Sequence, residues 1–414
     1  MMDNCFIAAK KASGQTAGLS DASRSEILEA VADRILAESA ALLDANAVDL
    51  SRMDKNNPLY DRLMLSGQRL EGIASDMRKV ASLPSPLGKI SLDSVLPNGL
   101  HLRRISVPYG VIGVVYEARP NVTFDVFSLC FKAGSACVLK GGADAGQTNL
   151  AAVSLIKSVL EEKGVTPDAI TLLEPTHEAV AELLGAVGYV DLVIPRGGKK
   201  LIEFVRTHSA VPCIETGAGV VNTYFDADAS LEIGKAVIFN AKTRRVSVCN
   251  ALDCLIVHSS RLKDLPQLVE PLSRAVTPVE ILADERAYST LEGIYPRLSR
   301  ADKDTFGTEF LDYRMAVRTV DSLDEALEHI ATYGSGHSEA LISDNPDTAA
   351  RFRLEVDAAC VYVNAPTSFT DGAQFGFGAE IGISTQKLGA RGPMGLSEIC
   401  TYKYLIDGSG QTRP

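Results

Sequence analysis

Eight cysteines are spread along the 414 residues, and one sits among residues suited to nucleophilic chemistry. Cys249 closes the string Asn240-Ala241-Lys242-Thr243-Arg244-Arg245-Val246-Ser247-Val248-Cys249, so Lys242, Arg244 and Arg245 all lie within the seven residues before it. Nearby cations stabilise a thiolate, and the thiolate is the attacking form. On residue types alone a structural role for Cys249 stays open. The other thiols, Cys5, Cys130, Cys137, Cys213, Cys254, Cys360 and Cys400, read as small buried hydrophobes. There is no CxxC and no cysteine pair followed by spaced histidines, so no metal site is expected.

Two glycine turns are candidates for a nucleotide cofactor. Val138-Leu139-Lys140-Gly141-Gly142 ends an apolar run with a cation, and such a lysine suits a ribose hydroxyl or a 2′-phosphate. Ile194-Pro195-Arg196-Gly197-Gly198 ends a later run and precedes a helical stretch. Its glycines admit close backbone approach, and a helix N-terminus favours an anion. Each turn alone also reads as an ordinary connection, but two at strand ends of one sheet favour a dinucleotide. A complete G-x-G-x-x-G after a strand is absent; the nearest string, Gly376 to Gly382, is one residue too long.

The elements that must position these residues can be read from periodicity. The first ~80 residues look helical; over Ser25 to Leu43, Ile27, Leu28, Val31, Ile35 and Leu36 recur at helical spacing, with Ser20 and Asp21 as candidate caps. Pro84 and Pro86 break this pattern. Lys89–Leu96 and Leu100–Val107 flank Pro97-Asn98-Gly99 and read as a β-hairpin with positive φ at Asn98 and Gly99. That hairpin is either a projecting arm or an ordinary surface feature. From Gly110 to Ile214, strands are expected at Val111–Tyr116, Ala136–Leu139, Ile170–Leu173, Val190–Ile194 and Pro212–Ile214, with helices such as Gln147–Glu162 and Glu178–Leu184 between them. A second alternating block follows, with strands at Ala251–Val257, Ala340–Ile342 and Cys360–Val363 and a helix at Leu323–His329. From Asn364 the chain is glycine-rich and reads as irregular. Alternation of this kind marks parallel α/β sheets.

Composition narrows the function classes. With 41 basic and 52 acidic residues the formal net charge is −11, which argues against nucleic acid or an anionic membrane as the main partner. Met1 to Ser13 has no apolar core of a secretory signal, and no run approaches the roughly 20 apolar residues that span a bilayer. The expectation is a cytoplasmic protein with reduced thiols.

Several longer strings carry a resemblance. Ser247-Val248-Cys249-Asn250-Ala251 is one, and Tyr116-Glu117-Ala118-Arg119-Pro120-Asn121-Val122-Thr123 another. Phe306-Gly307-Thr308-Glu309-Phe310-Leu311-Asp312-Tyr313 and Tyr333-Gly334-Ser335-Gly336-His337-Ser338-Glu339 follow. Gly378-Ala379-Glu380-Ile381-Gly382-Ile383-Ser384-Thr385-Gln386-Lys387 and Ala390-Arg391-Gly392-Pro393-Met394-Gly395 complete the set. In order and over nearly the whole chain, these strings resemble the gamma-glutamyl phosphate reductase family, a branch of the aldehyde dehydrogenase superfamily.

The resemblance implies an aldehyde dehydrogenase-like α/β fold: an NADP-binding domain of residues 1–86 and 110–220, a catalytic domain of 221–375, and an oligomerisation element of 87–109 and 376–414. It implies NADPH-dependent reduction of L-glutamyl 5-phosphate in proline biosynthesis through a thioester on Cys249. Asn121 matches the side-chain donor to the oxyanion. Lys140, Gly141, Gly142, Arg196, Gly197 and Gly198 match cofactor contacts, and Glu309 resembles the glutamate placed on the nicotinamide ribose. Thr367, Ser368 and Asp371 match the substrate-side loop, with His337 and Arg391 as further polar candidates. Glu215 lies 34 residues before Cys249, the spacing of the general base in hydrolytic relatives, yet a phosphorylating reductase needs no such base. It reads as cofactor-side or structural, with a hydrolytic side activity as the alternative. Expected partners are a small-molecule substrate, further copies of the chain and glutamate 5-kinase. Three positions depart from the family pattern: Val246 replaces proline, Ser368 replaces arginine, and Asn222 stands where many members have histidine. Lys242, Arg244 or Arg245 are candidates to replace the lost cation.

Overall fold

The computed structural model describes residues 4–413 except 56, 58, 59, 118 and 218, and all side chains of these but that of residue 199. Ala118, within a motif string above, and Ala218 lie outside the described residues. The chain forms two compact units. The first holds the residues up to Thr216, with Gly376–Gly382 and the segment from Pro393; the second holds Gly217–Phe375 and Ile383–Gly392.

The first unit begins with helices Asn4–Gly18, Asp21–Ala37, Ser39–Leu50 and Gly67–Ser82. The single periodic stretch expected over Ser25–Leu43 is therefore two helices, because Glu38 leaves the helical region at φ −103° and ψ 21°. Ser20 is the cap, its hydroxyl accepting from the Ser23 amide. Ile27, Leu28, Val31 and Ile35 are buried, as the helical spacing requires.

Strands β1 (Ile90–Val95) and β2 (His101–Pro108) form the expected hairpin. Its turn differs from the expectation: Gly99 has φ +84°, whereas Asn98 is not among the positive-φ residues. The Gly99 amide donates to Leu96 O and the Leu96 amide to Leu100 O, a turn with Pro97 at its first central position followed by a left-handed glycine. The C-terminal strand Cys400–Asp407, within a tail expected to be irregular, pairs antiparallel with β2 along its length. Backbone pairing across some 300 residues of sequence supplied this strand; its local composition gave no sign of it.

Strands β3 (Val111–Tyr116), β4 (Ala136–Lys140), β5 (Ile170–Leu172) and β6 (Leu192–Arg196) form a parallel sheet in the order β5-β4-β3-β6. Every residue of β3 is buried, the pattern of a strand covered on both faces. The last expected strand, Pro212–Ile214, is only an isolated bridge from Cys213 to Val193. Pro212 has no amide to donate, so its carbonyl alone joins the sheet edge, accepting from the Val193 amide. The helix Asn121–Lys132 packs Phe124, Phe127 and Phe131 inward. Fully burying such a side chain stabilises by roughly 1.5–3 kcal/mol.

The second unit is built on seven parallel strands: β7 (Asn222–Phe225), β8 (Cys254–His258), β9 (Glu280–Ala283), β10 (Leu298–Arg300), β11 (Arg314–Val320), β12 (Ser338–Ile342) and β13 (Cys360–Val363). Their order is β10-β9-β11-β8-β7-β12-β13, so the chain enters at an inner strand, runs out to β10, returns with β11 between β9 and β8, and ends on β12 and β13 at the other side. Helices cover both faces. One core gathers Phe225, Leu255, Val257, Leu268, Ile281 and Val317; the other gathers Tyr224, Ile256, Ala316, Leu341 and Phe352. Alternate residues of β7, β8 and β11 divide between the two, as strand geometry dictates.

Candidate functional site

In the first unit the singled-out residues converge at the C-terminal ends of parallel strands. Val115 pairs with Lys140 and Tyr116 with Arg196, so both cations flank the end of β3. Crevices outside such strand ends are where α/β sheets bind ligands. The glycines have unequal reasons. A Cβ at Gly141 would collide with Asn149 Nδ2 and press on the Tyr116 ring, so its smallness serves packing over a buried set of hydrogen bonds. In that set the Tyr116 hydroxyl meets Thr123 Oγ1 at 2.7 Å, and Thr123 donates to Asn149 Oδ1 at 3.0 Å. A Cβ at Gly197 would lie 2.6 Å from Glu117 Oε2, which accepts from the Gly198 amide at 3.0 Å.

Glu117 is a residue that sequence reasoning passed over. Its carboxylate sits at the N-terminus of helix Lys199–His208, the place expected to favour an anionic ligand. The helix after Gly142 is closed in the same way. Asp49 accepts from the Gln147 amide at 3.1 Å and from the Thr148 amide at 2.8 Å. Both helix ends thus carry the chain's own carboxylates. Lys140 and Arg196 are the cations beside these two turns. Burial lowers the Lys140 pKa, and the charge of Glu117 opposes this.

Asn121 occupies the first turn of helix Asn121–Lys132, just beyond β3. Its Nδ2 donates to Asp125 Oδ2 at 2.8 Å, one turn on along the same helix face. Burial pushes the Asp125 carboxyl up to about 6; the bond from Asn121 and the charge of Arg196 work against this, and Asp76 adds to it. Glu215 lies on the edge of this unit, with Oε2 3.9 Å from Arg206 Nε.

In the second unit Cys249 lies in a tight turn after helix Leu231–Thr243. Gly219 packs directly on it: a Cβ there would overlap the Cys249 carbonyl. The Gly219 amide donates to Glu309 Oε1 at 3.1 Å, so Glu309 stands beside the thiol's loop. Asp253 fastens the same region, accepting from the Phe310 amide at 3.0 Å and the Val221 amide at 3.3 Å. Lys242 does not face outward with Arg244 and Arg245. It is buried and donates to Leu252 O at 2.9 Å, with burial lowering its pKa and the charge of Asp253 opposing that. Of the three cations before Cys249, only Arg244 and Arg245 are at the surface.

Asn250, next to the thiol, reaches the loop at 364–372. Its Nδ2 donates to Thr370 O at 2.9 Å and Ser368 O at 3.4 Å, and its carbonyl accepts from Thr367 Oγ1 at 2.8 Å. Ser368 Oγ donates to Asn240 Oδ1 at 2.6 Å. Both hydroxyl protons are therefore spent inside the protein. Asp371 Oδ1 accepts from the Ala373 and Gln374 amides at 3.0 and 3.3 Å, an Asx turn that shapes the loop. His337 is fully buried beneath it, with Nδ1 2.8 Å from Ser338 Oγ, which in turn meets Thr370 Oγ1 at 2.8 Å. Its Nε2 has no partner among the described residues, and burial lowers its pKa to about 4, so the ring is neutral at physiological pH. Arg391 pairs with Asp357 at 2.7 Å. Asn222 is buried in β7, where its amide side chain donates to Glu339 Oε1 at 3.2 Å and its backbone amide to Oε2 at 3.0 Å. Burial raises the Glu339 pKa well above the usual range.

Among the described residues, no group of three or more His, Cys, Asp or Glu is placed to hold a metal ion, and no helix is long and apolar enough to cross a membrane. No family model matches the chain. It is 59% identical over 407 residues to a gamma-glutamyl phosphate reductase of Parabacteroides distasonis, covering 98% of each protein. The crystal structure of a gamma-glutamyl phosphate reductase from Thermotoga maritima matches with a TM-score of 0.95 at 37% identity, covering 99% of both chains. An acetylating aldehyde dehydrogenase from Geobacillus thermoglucosidasius matches with a TM-score of 0.69 at 17% identity, covering 99% of this chain and 97% of that one, a likeness of fold alone.

Proposed function

Because this chain belongs to the gamma-glutamyl phosphate reductase family, with the aldehyde dehydrogenase-like fold, we propose that it is an oxidoreductase that converts L-glutamyl 5-phosphate to glutamate 5-semialdehyde and phosphate through Cys249. The observation that carries the reading is the setting of Cys249, whose loop is packed on Gly219, flanked by Glu309 and tied through Asn250 to the loop at 364–372.

The Cys249 thiolate attacks the acyl carbon, the carbonyl electron pair moves to oxygen, and phosphate leaves with its bonding pair to give a thioester. NADPH, when bound, would supply the hydride that reduces the thioester carbon. The resulting anion expels the thiolate and releases the aldehyde. An oxyanion forms at both stages, and Asn121 is the side-chain donor to it, with the Cys249 amide as the second. Lys140 and Arg196 with the Gly141-Gly142 and Gly197-Gly198 turns would hold the cofactor, the cations meeting its anionic groups. Glu309 would orient the nicotinamide ribose. The segment Thr367–Asp371 forms the substrate side, with His337 as an internal support. Glu215, beside Arg206, serves structure or the cofactor side; a hydrolytic enzyme would need it as an unencumbered base.

On this reading residues 1–86 and 110–220 form the NADP-binding domain, 221–375 the catalytic domain, and 87–109 with 376–414 the oligomerisation element. The three-stranded sheet supports the last of these. Leu92, Tyr402, Tyr404 and Ile406 are exposed on one face of it, an apolar surface suited to a second copy of the chain. Acyl phosphates are labile, so direct transfer from glutamate 5-kinase is a natural partnership.

The reverse reaction tests the assignment. Purified protein with glutamate 5-semialdehyde and NADP should form reduced cofactor only when phosphate is present, and Cys249→Ala should lose this rate by at least about a thousandfold. Reduction without phosphate would instead indicate hydrolytic chemistry.

A further inference from the structure

We propose that Asp125 recognises the α-ammonium group of the glutamyl substrate and so makes the enzyme specific for an amino-acid acyl group. The inference rests on the role given to Asn121 above. Asp125 follows Asn121 by one helical turn on the same face, and the two side chains touch at 2.8 Å. The bond uses Asp125 Oδ2 and one of the two protons on Asn121 Nδ2. It leaves the second amide proton for an oxyanion and Asp125 Oδ1 for another donor. Among the described residues the side-chain hydrogen bond to the Asp125 carboxylate is that of Asn121 to Oδ2, and the residue is partly exposed. Arg196 acts on it only from beyond ion-pair range, and Asp76 repels it.

A partly buried carboxylate without a counter-ion gains from a cation that arrives to meet it. Burial raises the Asp125 pKa, and an incoming ammonium would favour its charged form. The spacing also fits. Four single bonds separate the reacting carbon of a glutamyl group from its α-nitrogen, about 5 Å by standard bond lengths. Two side chains in mutual contact can therefore hold the oxygen at one end and the nitrogen at the other.

The test compares two aldehydes in the phosphate-dependent reverse reaction: glutamate 5-semialdehyde and 5-oxopentanoate, which lacks only the amino group. Asp125→Asn should lose kcat/KM for the amino aldehyde by roughly tenfold to a hundredfold more than for 5-oxopentanoate, the loss expected of one charge-assisted hydrogen bond. Taking each ratio of variant to wild type cancels the tendency of the amino aldehyde to cyclise. Equal losses on both substrates would overturn the proposal and make Asp125 a support for Asn121. No loss on either would overturn it too. Competition by glutamate against glutarate gives a reading independent of turnover: wild type should favour glutamate, and Asp125→Asn should lose that preference. A wild-type enzyme with no phosphate-dependent activity would fault the reductase reading itself. A wild type that prefers the amino aldehyde, beside a variant that keeps the preference, would fault only Asp125.

Discussion

At the residue scale, reactivity here is a matter of what is placed against Cys249. The cations that drew attention to it turn out to have separate duties. Lys242 is turned inward onto Leu252 O and acts as scaffold, while Arg244 and Arg245 remain at the surface. The glycine at 219 is the more telling neighbour, because its missing side chain is what lets the Glu309 loop and the thiol's loop meet. Gly219→Ala should displace the Cys249 backbone and lower kcat on the order of a hundredfold, as small misplacements of reacting groups do. The thermal midpoint should fall by only a few degrees, in line with overpacking of about 1–3 kcal/mol. A variant with wild-type kcat would mean that this contact does not position the thiol. The motif around Cys249 was legible in the sequence. The contact with Gly219 was not, because the two are 30 residues apart and only the fold closes that gap.

At the element scale, parallel strands place the candidate ligand-binding turns, and backbone pairing decides what the termini do. The turns after β4 and β6 were identified correctly as strand ends, since apolar runs ending in glycine are a local signal. Their helices were another matter. That Asp49 and Glu117 close the two helix N-termini depends on side chains 98 and 81 residues away. The C-terminal strand Cys400–Asp407 also escaped local reading. Its alternation is weak, and it is a strand because β2 offers it an unpaired edge. If the apolar surface of this sheet is a subunit contact, Tyr404→Lys with Ile406→Lys should lower the mass measured by light scattering to that of a smaller assembly. An unchanged mass would place the contact elsewhere. Both residues are about half exposed, at 48% and 59%, so the substitutions leave the core intact.

At the scale of the whole molecule, the buried ionisable groups tie stability to pH. His337 is held neutral by burial, with its pKa lowered from 6.5 to about 4. As pH falls through 6.5 the unfolded chain takes up a proton that the folded chain refuses, so stability is lost between about 6.5 and 4. The loss from this one group amounts to at most about 3 kcal/mol. His337→Leu should therefore show a shallower decline of its unfolding midpoint over that range; parallel curves for variant and wild type would contradict the assignment. His329, also lowered to about 4 by burial, remains in both proteins and does not affect the comparison. The sequence by itself determined the α/β class, the hairpin and the family, and singled out Cys249 as the candidate nucleophile, because apolar periodicity, turn residues and contiguous motif strings are local records. Tertiary structure alone decided that Ser20 rather than Asp21 caps its helix, that Thr367 and Ser368 spend their protons on Asn250 and Asn240, and that His337 lies beneath its loop. The physical reason is the same in each case. A hydrogen-bonding side chain looks equally ready for water, ligand or protein in the sequence, and only burial against a particular partner settles which one it takes.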